Sequence, residues 1–331
     1  MTFDYDILSR RTRMSMPNGV TTTYSYDEAS QLLDLRHTLE ASTISDFSYA
    51  YDRVGNRTTL TQNRSAVAVA SLLSYTYDAL NRLTEATHPL PTNPLEEFDY
   101  DPLGNRELRD GQSFTSIFDA ANRLLEDEDF CYGYDDNGNL ISKEAKVAGA
   151  CGGGGPLTDY EYDPENQLVE VRVNGAVTAN YRYDALGRRI EKDAGGVTSR
   201  YVYDSEDILL EFDGANTLLA HYTHGPGIDE PLIMVRDLDS SGTFETSEGF
   251  FYQADGLGSL TELTDSTGFI SQAYVYDSYG GIVDQVGTLP NPYTYTGREF
   301  DAESGLYYYR ARLDLEKRDQ DFYSLDSSLK S

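Results

Sequence analysis

The sequence predicts an all-β protein, a long antiparallel meander of β-hairpin repeats curled into a shell or partial shell. Three observations carry that reading. With 27 Tyr, 13 Phe, 28 Gly and no Trp in 331 residues, the composition favours many short strands over helices. An aromatic, any residue, then Tyr-Asp recurs along the chain. Each copy runs into a cluster of turn-forming residues.

The repeat closes at Asp6, Asp27, Asp52, Asp78, Asp101, Asp135, Asp163, Asp184, Asp204 and Asp277, with a weaker copy at Asp119. Between Asp6 and Asp204 the steps vary from 16 to 28 residues, so the loops change length while the strands do not. Residues two apart on a strand share a face. The pairs Tyr24 and Tyr26, Tyr49 and Tyr51, Tyr75 and Tyr77, Tyr160 and Tyr162, Tyr181 and Tyr183, Tyr201 and Tyr203, and Tyr274 and Tyr276 therefore stack on one surface. After each pair comes a turn such as Asp52-Arg53-Val54-Gly55-Asn56-Arg57, where the Asp bonds backbone amides and the Gly takes positive φ.

A returning strand such as Leu168 to Val173 then meets Asn174-Gly175, a strong hairpin signal, before the next aromatic strand. The same second turn is expected at Asn18-Gly19, Gly195-Gly196 and Asp213-Gly214. The whole chain thus reads as one meander of roughly 20 strands of about 8 to 10 residues. Strand twist accumulates, and an open sheet of more than about 10 strands curls or closes. The apolar run Ser65 to Leu73 reads as a buried strand.

The 56 acidic against 26 basic residues give a formal charge of −30, which repels nucleic acid and anionic membranes and attracts divalent cations. No stretch approaches the roughly 18 apolar residues of a membrane span, and the start lacks the basic and apolar regions of a signal peptide. Because Phe3 to Asp6 already reads as the interior of a repeat, the chain looks like an excerpt of something longer. Cys131 and Cys151 flank a hairpin through Asp136 to Asn139 and are candidates for a disulfide facing across it.

One loop has the spacing of a calcium ligand set. Asp237, Asp239, Ser241, Thr243, Glu245 and Glu248 occupy positions 1, 3, 5, 7, 9 and 12 around a Gly at position 6, as in an EF-hand loop. Hard cations take six to eight oxygens, with Thr243 offering its carbonyl and Glu248 both carboxylate oxygens. The flanks read as strands, so this is no helix-loop-helix; an acidic hairpin loop that needs no metal satisfies the same pattern. His221 and His224, three apart on a strand, face opposite sides and do not share a metal. Gly152 to Gly155 lacks the Lys-Ser/Thr of a phosphate cradle and reads as a loop.

Three longer stretches resemble the RHS or YD-repeat family of bacterial toxin-delivery shells and wall-associated proteins, related to teneurin shells. They are Tyr222-Thr223-His224-Gly225-Pro226-Gly227-Ile228-Asp229-Glu230-Pro231-Leu232, Asp255-Gly256-Leu257-Gly258-Ser259, and Tyr295-Thr296-Gly297-Arg298-Glu299-Phe300-Asp301-Ala302-Glu303-Ser304-Gly305-Leu306-Tyr307-Tyr308-Tyr309-Arg310-Ala311-Arg312. The last is similar to the RHS-associated core. The resemblance divides the chain into a repeat strip, 1–292, with the acidic loop inserted at 237–248, a core motif at 293–312, and a divergent tail at 313–331.

It implies a β-strip wound into a hollow cocoon that encloses a toxic polypeptide in many members. Members that release cargo carry a self-cutting Asp-Pro-x-Gly site after the core. Here the nearest echo, Ser324-Leu325-Asp326-Ser327-Ser328-Leu329, lacks both Pro and Gly, which removes the held turn such catalysis requires. The reading is therefore a non-enzymatic scaffold, secreted or at a bacterial cell surface, whose partners are a polypeptide cargo or the remainder of a larger protein. The alternative is an adhesin or carbohydrate-binding module that stacks surface glycans on exposed Tyr faces.

Overall fold

A computed structural model of the chain describes residues 1–90, 95–109, 116–309 and 313–315. Among them are 29 strands and two single-turn 3-10 helices, Thr246–Glu248 and Tyr295–Gly297. The all-β expectation holds. Among the described residues the strands pair antiparallel, and hydrogen-bonded order follows chain order through sheets of 10, 16 and 3 strands. The single meander of about 20 long strands is corrected in two respects: the strands of the described residues group into three sheets, and most span only 3 to 8 residues. The turns consume the difference, because each Asp turn takes the residues after the second aromatic out of the ladder.

The strand Ser42–Tyr51 shows why these segments are extended. Phe47 and Tyr49 are buried while Asp46, Ser48 and Ala50 between them are less covered or exposed, the period-two pattern of a half-buried sheet. By contrast, Ser65 to Ser71 forms no strand; Ala66, Val67, Val69 and Ala70 are half-buried in a connection, and the strand begins at Leu72. Small apolar residues there carry too little side chain to fix a ladder position.

The chain divides into two compact units, each discontinuous in sequence: Met1–Tyr75, Thr87–Pro94 and Val197–Phe300 form one, and Thr76–Ala86, Leu95–Gly196 and Asp301–Ser331 the other. In the first, two sheet layers meet through Met14, Met16, Val20 and Ile44 on one side and Leu232 and Phe251 on the other. A second cluster gathers Tyr201, Tyr222, Tyr252, Tyr274 and Tyr293 around Met234, Leu260 and Leu263. The second unit packs Tyr160, Leu168, Val171, Ala179 and Tyr181 against Leu306.

Candidate functional site

The repeat is a three-residue hairpin loop, a type I turn closed by one left-handed residue. That residue stands three after the Asp in thirteen turns: Ser9, Ser30, Gly55, Asn81, Gly104, Asn122, Gly138, Asn166, Gly187, Asn216, Gly258, Gly268 and Gly280 all have positive φ. Glycine or asparagine fills eleven of these because a Cβ resists the left-handed region and the Asn amide tolerates it. In the turn at Asp184, Oδ1 accepts the N–H of Leu186 (2.9 Å) and Arg188 (3.0 Å), and Oδ2 accepts the Arg188 guanidinium. Burial works against ionisation of Asp184, but the Arg188 side-chain and backbone bonds outweigh it and hold the carboxyl below its ordinary value. At Asp6 and Asp119 the backbone bond from the residue four ahead is itself the largest influence and acts in the same direction.

Two kinds of side chain tie neighbouring repeats together. The second tyrosine donates to the carbonyl at the start of the preceding return strand: Tyr26 to Arg11, Tyr51 to Leu32, Tyr100 to Leu83, Tyr183 to Leu168 and Tyr276 to Leu260, at 2.7 to 2.9 Å. In three turns with an Arg four after the Asp, that Arg reaches the next turn: Arg10 to the Asp27 carbonyl (2.9 Å), Arg82 to Asp101 (3.2 Å) and Arg123 to Asp135 (3.0 Å). The same three guanidinium groups lie over the next repeat's Tyr26, Tyr100 and Tyr134 rings. The tyrosine periodicity was visible in the sequence; this arginine was not singled out, although its fixed offset from the Asp is a usable signal.

Two expected turns are built otherwise. Asn174-Gly175 and Gly195-Gly196 are two-residue turns with both φ positive. Asn18-Gly19 and Asp213-Gly214 instead lie in longer turns whose left-handed residues are Gly19 and Asn216, because in the latter the Asp213 carboxylate accepts the N–H of Ala215 and Thr217. The turn at Asp204 departs too, with positive φ at Ser205 and Asp204 paired to Asp207.

All fourteen repeat tyrosines named from the sequence are buried or half-buried. Burial raises the Tyr24 phenol to about 12 and the Tyr181 phenol further. These fourteen rings therefore do not offer the exposed faces that the glycan-binding alternative requires; several of them donate their hydroxyls to carbonyls of neighbouring strands.

Each unit carries a buried ion pair. In the first, Arg64 Nε meets Glu262 Oε1 at 2.7 Å, and Arg64 also donates to the Thr261 and Tyr274 carbonyls. Glu262 Oε2 accepts from Ser45 at 2.8 Å. Also in this unit, Gly297 of the core motif lies so close to the Asp229 carbonyl that a Cβ would come within 2.2 Å of it, while Arg298 pairs with Asp229 at 2.5 Å. Tyr293 is gripped edge-on by Tyr222, His224 and Tyr252.

In the second unit Asp301 is fully buried between Arg189 and Lys192, the latter at 2.9 Å. Lys192 also meets Glu303 at 3.0 Å, and the Tyr181 hydroxyl donates to Glu303. Burial opposes ionisation of Asp301, yet the two cations hold its carboxyl below the ordinary value. Thus the Asp-Ala-Glu-Ser-Gly-Leu portion of the core motif is a partner for the tyrosine face. Arg310 to Arg312 and Asp326 lie outside the described residues.

In the acidic loop, carboxylate oxygens of Asp237, Asp239 and Glu248 lie within 4.8 Å of one another. Asp237 accepts the N–H of Ser241 and Gly242, Gly242 has φ +75°, and Glu248 accepts the N–H of Leu238 and Glu245. Ser241 Oγ lies 3.2 Å from the Thr243 carbonyl. Glu245 does not join the three converging carboxylates. The flanks, Pro231–Arg236 and Gly249–Ala254, are paired strands as expected. His221 packs on Phe244 and His224 on Tyr293, so the two histidines face different surroundings.

Cys131 and Cys151 are bonded. Cys151 comes from the loop after the returning strand rather than from that strand, whose Glu144 stands opposite Cys131.

A succession of Asp-closed hairpins, tied by tyrosines and followed by a C-terminal aromatic motif, defines a β-hairpin repeat protein. Residues 68–312 match the teneurin YD-shell model, and the chain belongs to that family. Among curated relatives, the tRNA nuclease WapA of Bacillus subtilis (strain 168) is 33% identical over 265 residues, covering 76% of this chain and 10% of that protein. The double-stranded DNA deaminase toxin A of Burkholderia cenocepacia is 26% identical over 290 residues, covering 79% and 19%. The crystal structure of a TcdB2-TccC3-Cdc42 assembly superposes over 95% of this chain and 17% of that one, with a TM-score of 0.63 at 18% identity. The chain therefore spans a tenth to a fifth of these proteins. No helix among the described residues is long and apolar enough to cross a membrane.

Proposed function

We propose that this chain is a stretch of non-enzymatic shell wall that encloses or carries a polypeptide, as part of a longer secreted or cell-surface toxin-delivery protein. The observation that supports this best is where the polar groups go: the turn carboxylates, tyrosine hydroxyls and buried ion pairs all close wall contacts. The names of the relatives, nuclease and deaminase toxins, support a cargo carried elsewhere in such proteins.

The test is protection. A protease-sensitive reporter peptide fused to the chain should be digested at least tenfold more slowly than the same peptide free in solution. Equal rates overturn enclosure, and a mass loss of the chain on long incubation overturns the non-enzymatic reading.

A second reading concerns the acidic loop, which we propose binds calcium. The convergence of Asp237, Asp239 and Glu248 around a left-handed Gly242 supports it, with Ser241 and the Thr243 carbonyl adjacent. Magnesium, which holds its waters and demands a tighter octahedron, should bind less well.

A further inference from the structure

Of the four histidines, His37 has only 1% of its surface exposed and lies between the two sheet layers of the first unit. Its ring is held from both sides. Nε2 lies 3.0 Å from the Ala254 carbonyl, which can only accept, so Nε2 carries the proton; Nδ1 then accepts from Thr22 Oγ1 at 2.8 Å. Thr22 and His37 belong to one layer and Ala254 to the other. Phe47 closes the ring edge-on.

Around this contact runs a polar seam. Ser45 and Arg64 from the first layer meet Glu262 from the second, and Asn18 reaches Thr264 at 2.9 Å. The Gly256 N–H donates to the Tyr49 hydroxyl at 2.8 Å. Such a seam is satisfied only in one protonation state of its histidine: a proton added at Nδ1 places a charge in a buried site and removes the acceptor of the Thr22 hydroxyl.

We propose that the seam is an acid-labile fastening between the two layers, with His37 as the group whose protonation loosens it. The inference does not depend on what the wall encloses. The charges facing His37 are Glu262 on the strand Leu260–Thr264, Arg64 on Arg57–Arg64, and Asp46 on Ser42–Tyr51, with Asp255 just beyond Ala254.

Burial lowers the His37 pKa below its ordinary 6.5; Glu262 and the Ala254 bond pull it back in part, and Arg64 pushes it down again. Glu262 is already committed to Arg64 and Ser45, so it offers little to a second cation. The sign follows. The unfolded chain takes up this proton near pH 6.5 and the folded one does not, so stability is complete above that value and declines as pH falls. The loss is at most tenfold in the folded-to-unfolded ratio for each pH unit below it.

The test uses the full chain and its His37→Gln variant, in which the amide replaces both hydrogen bonds and cannot titrate. Equilibrium unfolding at pH 7 and pH 5 should shift by about tenfold or more in the parent. The variant should lose most of that shift; burial also lowers His221, so the readout is the difference between the two proteins. Hydrogen exchange, corrected for intrinsic rate, should show the parent's loss first in Leu32–Leu39 and Gly249–Ala254. A parent shift below about threefold, or equal shifts in both proteins, overturns the proposal. Should the variant fail to fold, an NMR titration of the parent decides: a His37 ring still neutral in the folded protein at pH 5 supports the seam, and a normal titration overturns it.

Discussion

The turns that follow the tyrosine strands and the turns that lead into them differ in how far they vary, although the Asp213 and Asp265 turns, which lead into Leu218–His224 and Ile270–Tyr276, share the plan of the first kind. The first kind is almost uniform, with an Asp carboxylate at its start and a left-handed residue three later. The second kind ranges from the two-residue turns at Asn174-Gly175 and Gly195-Gly196 to the disulfide-bearing loop before Leu157–Tyr162 and the twelve-residue acidic loop. The reason lies in the neighbours. A turn whose tyrosine and arginine bond the adjacent repeat must keep its length, whereas a turn outside that repeated lock is free to grow. Insertions, and any ligand site they create, collect on the second kind.

The largest expected effect tests the gripped kind. Replacing Tyr181 by Ala removes a buried ring beside Leu306 and Glu303 and should cost about 3 to 5 kcal/mol by chemical denaturation. A loss under about 1 kcal/mol would mean that the tyrosine face is not a core.

Next comes the disulfide of the variable kind. Cys131→Ser with Cys151→Ser frees a loop of sequence separation 20 and should cost about 3 kcal/mol in the chain-entropy model, with the Asp135 turn unchanged in hydrogen exchange. Loss of protection at that turn would show that the two kinds are not independent.

The calcium proposal has a similar magnitude. At 100 times its dissociation constant, calcium should stabilise the fold by about 2.7 kcal/mol. Asp237→Asn with Glu248→Gln should abolish this while leaving most of the charge of −30 in place. Equal stabilisation of parent and variant would reduce the loop to an ordinary acidic turn.

Smaller still, Tyr183→Phe deletes only the hydroxyl bond to the Leu168 carbonyl and should cost about 1 kcal/mol. No change would break the argument that tyrosine, rather than phenylalanine, is needed at the second aromatic position.

The acid response sharpens the comparison without a fixed magnitude. In the turns at Asp6, Asp52, Asp78, Asp101, Asp119, Asp135, Asp184 and Asp213 the backbone and side-chain hydrogen bonds hold the carboxyl below its ordinary value of 3.8, so the contribution of these turns is complete above that pH and is lost only as pH falls through the lowered values. Acid unfolding that these eight turns control therefore lies below about pH 4, separate from the His37 window. An Asp6 or Asp184 carboxyl titrating at its ordinary value in the folded chain would contradict the hydrogen-bonded turn.

Much of this was legible before any coordinates. Composition and the aromatic-x-Tyr-Asp spacing determined the strands, the face they share and the Asp turns, because these depend on residues within about five positions of one another. The acidic loop was legible for the same reason, as were the flanking strands that distinguish it from a helix-loop-helix. Which reading of the tyrosines holds, a covered face or the exposed one of the glycan-binding alternative, is not decided by spacing, since a period of two says which residues share a face and not what covers it.

Only the tertiary structure decided the long-range partners. Arg64 finds Glu262, His37 finds Ala254, and Arg189 finds Asp301 across more than a hundred residues of chain. No local spacing encodes such pairs: they exist because sheets twist and bring distant strands face to face, and a buried charge there persists only beside its counter-charge.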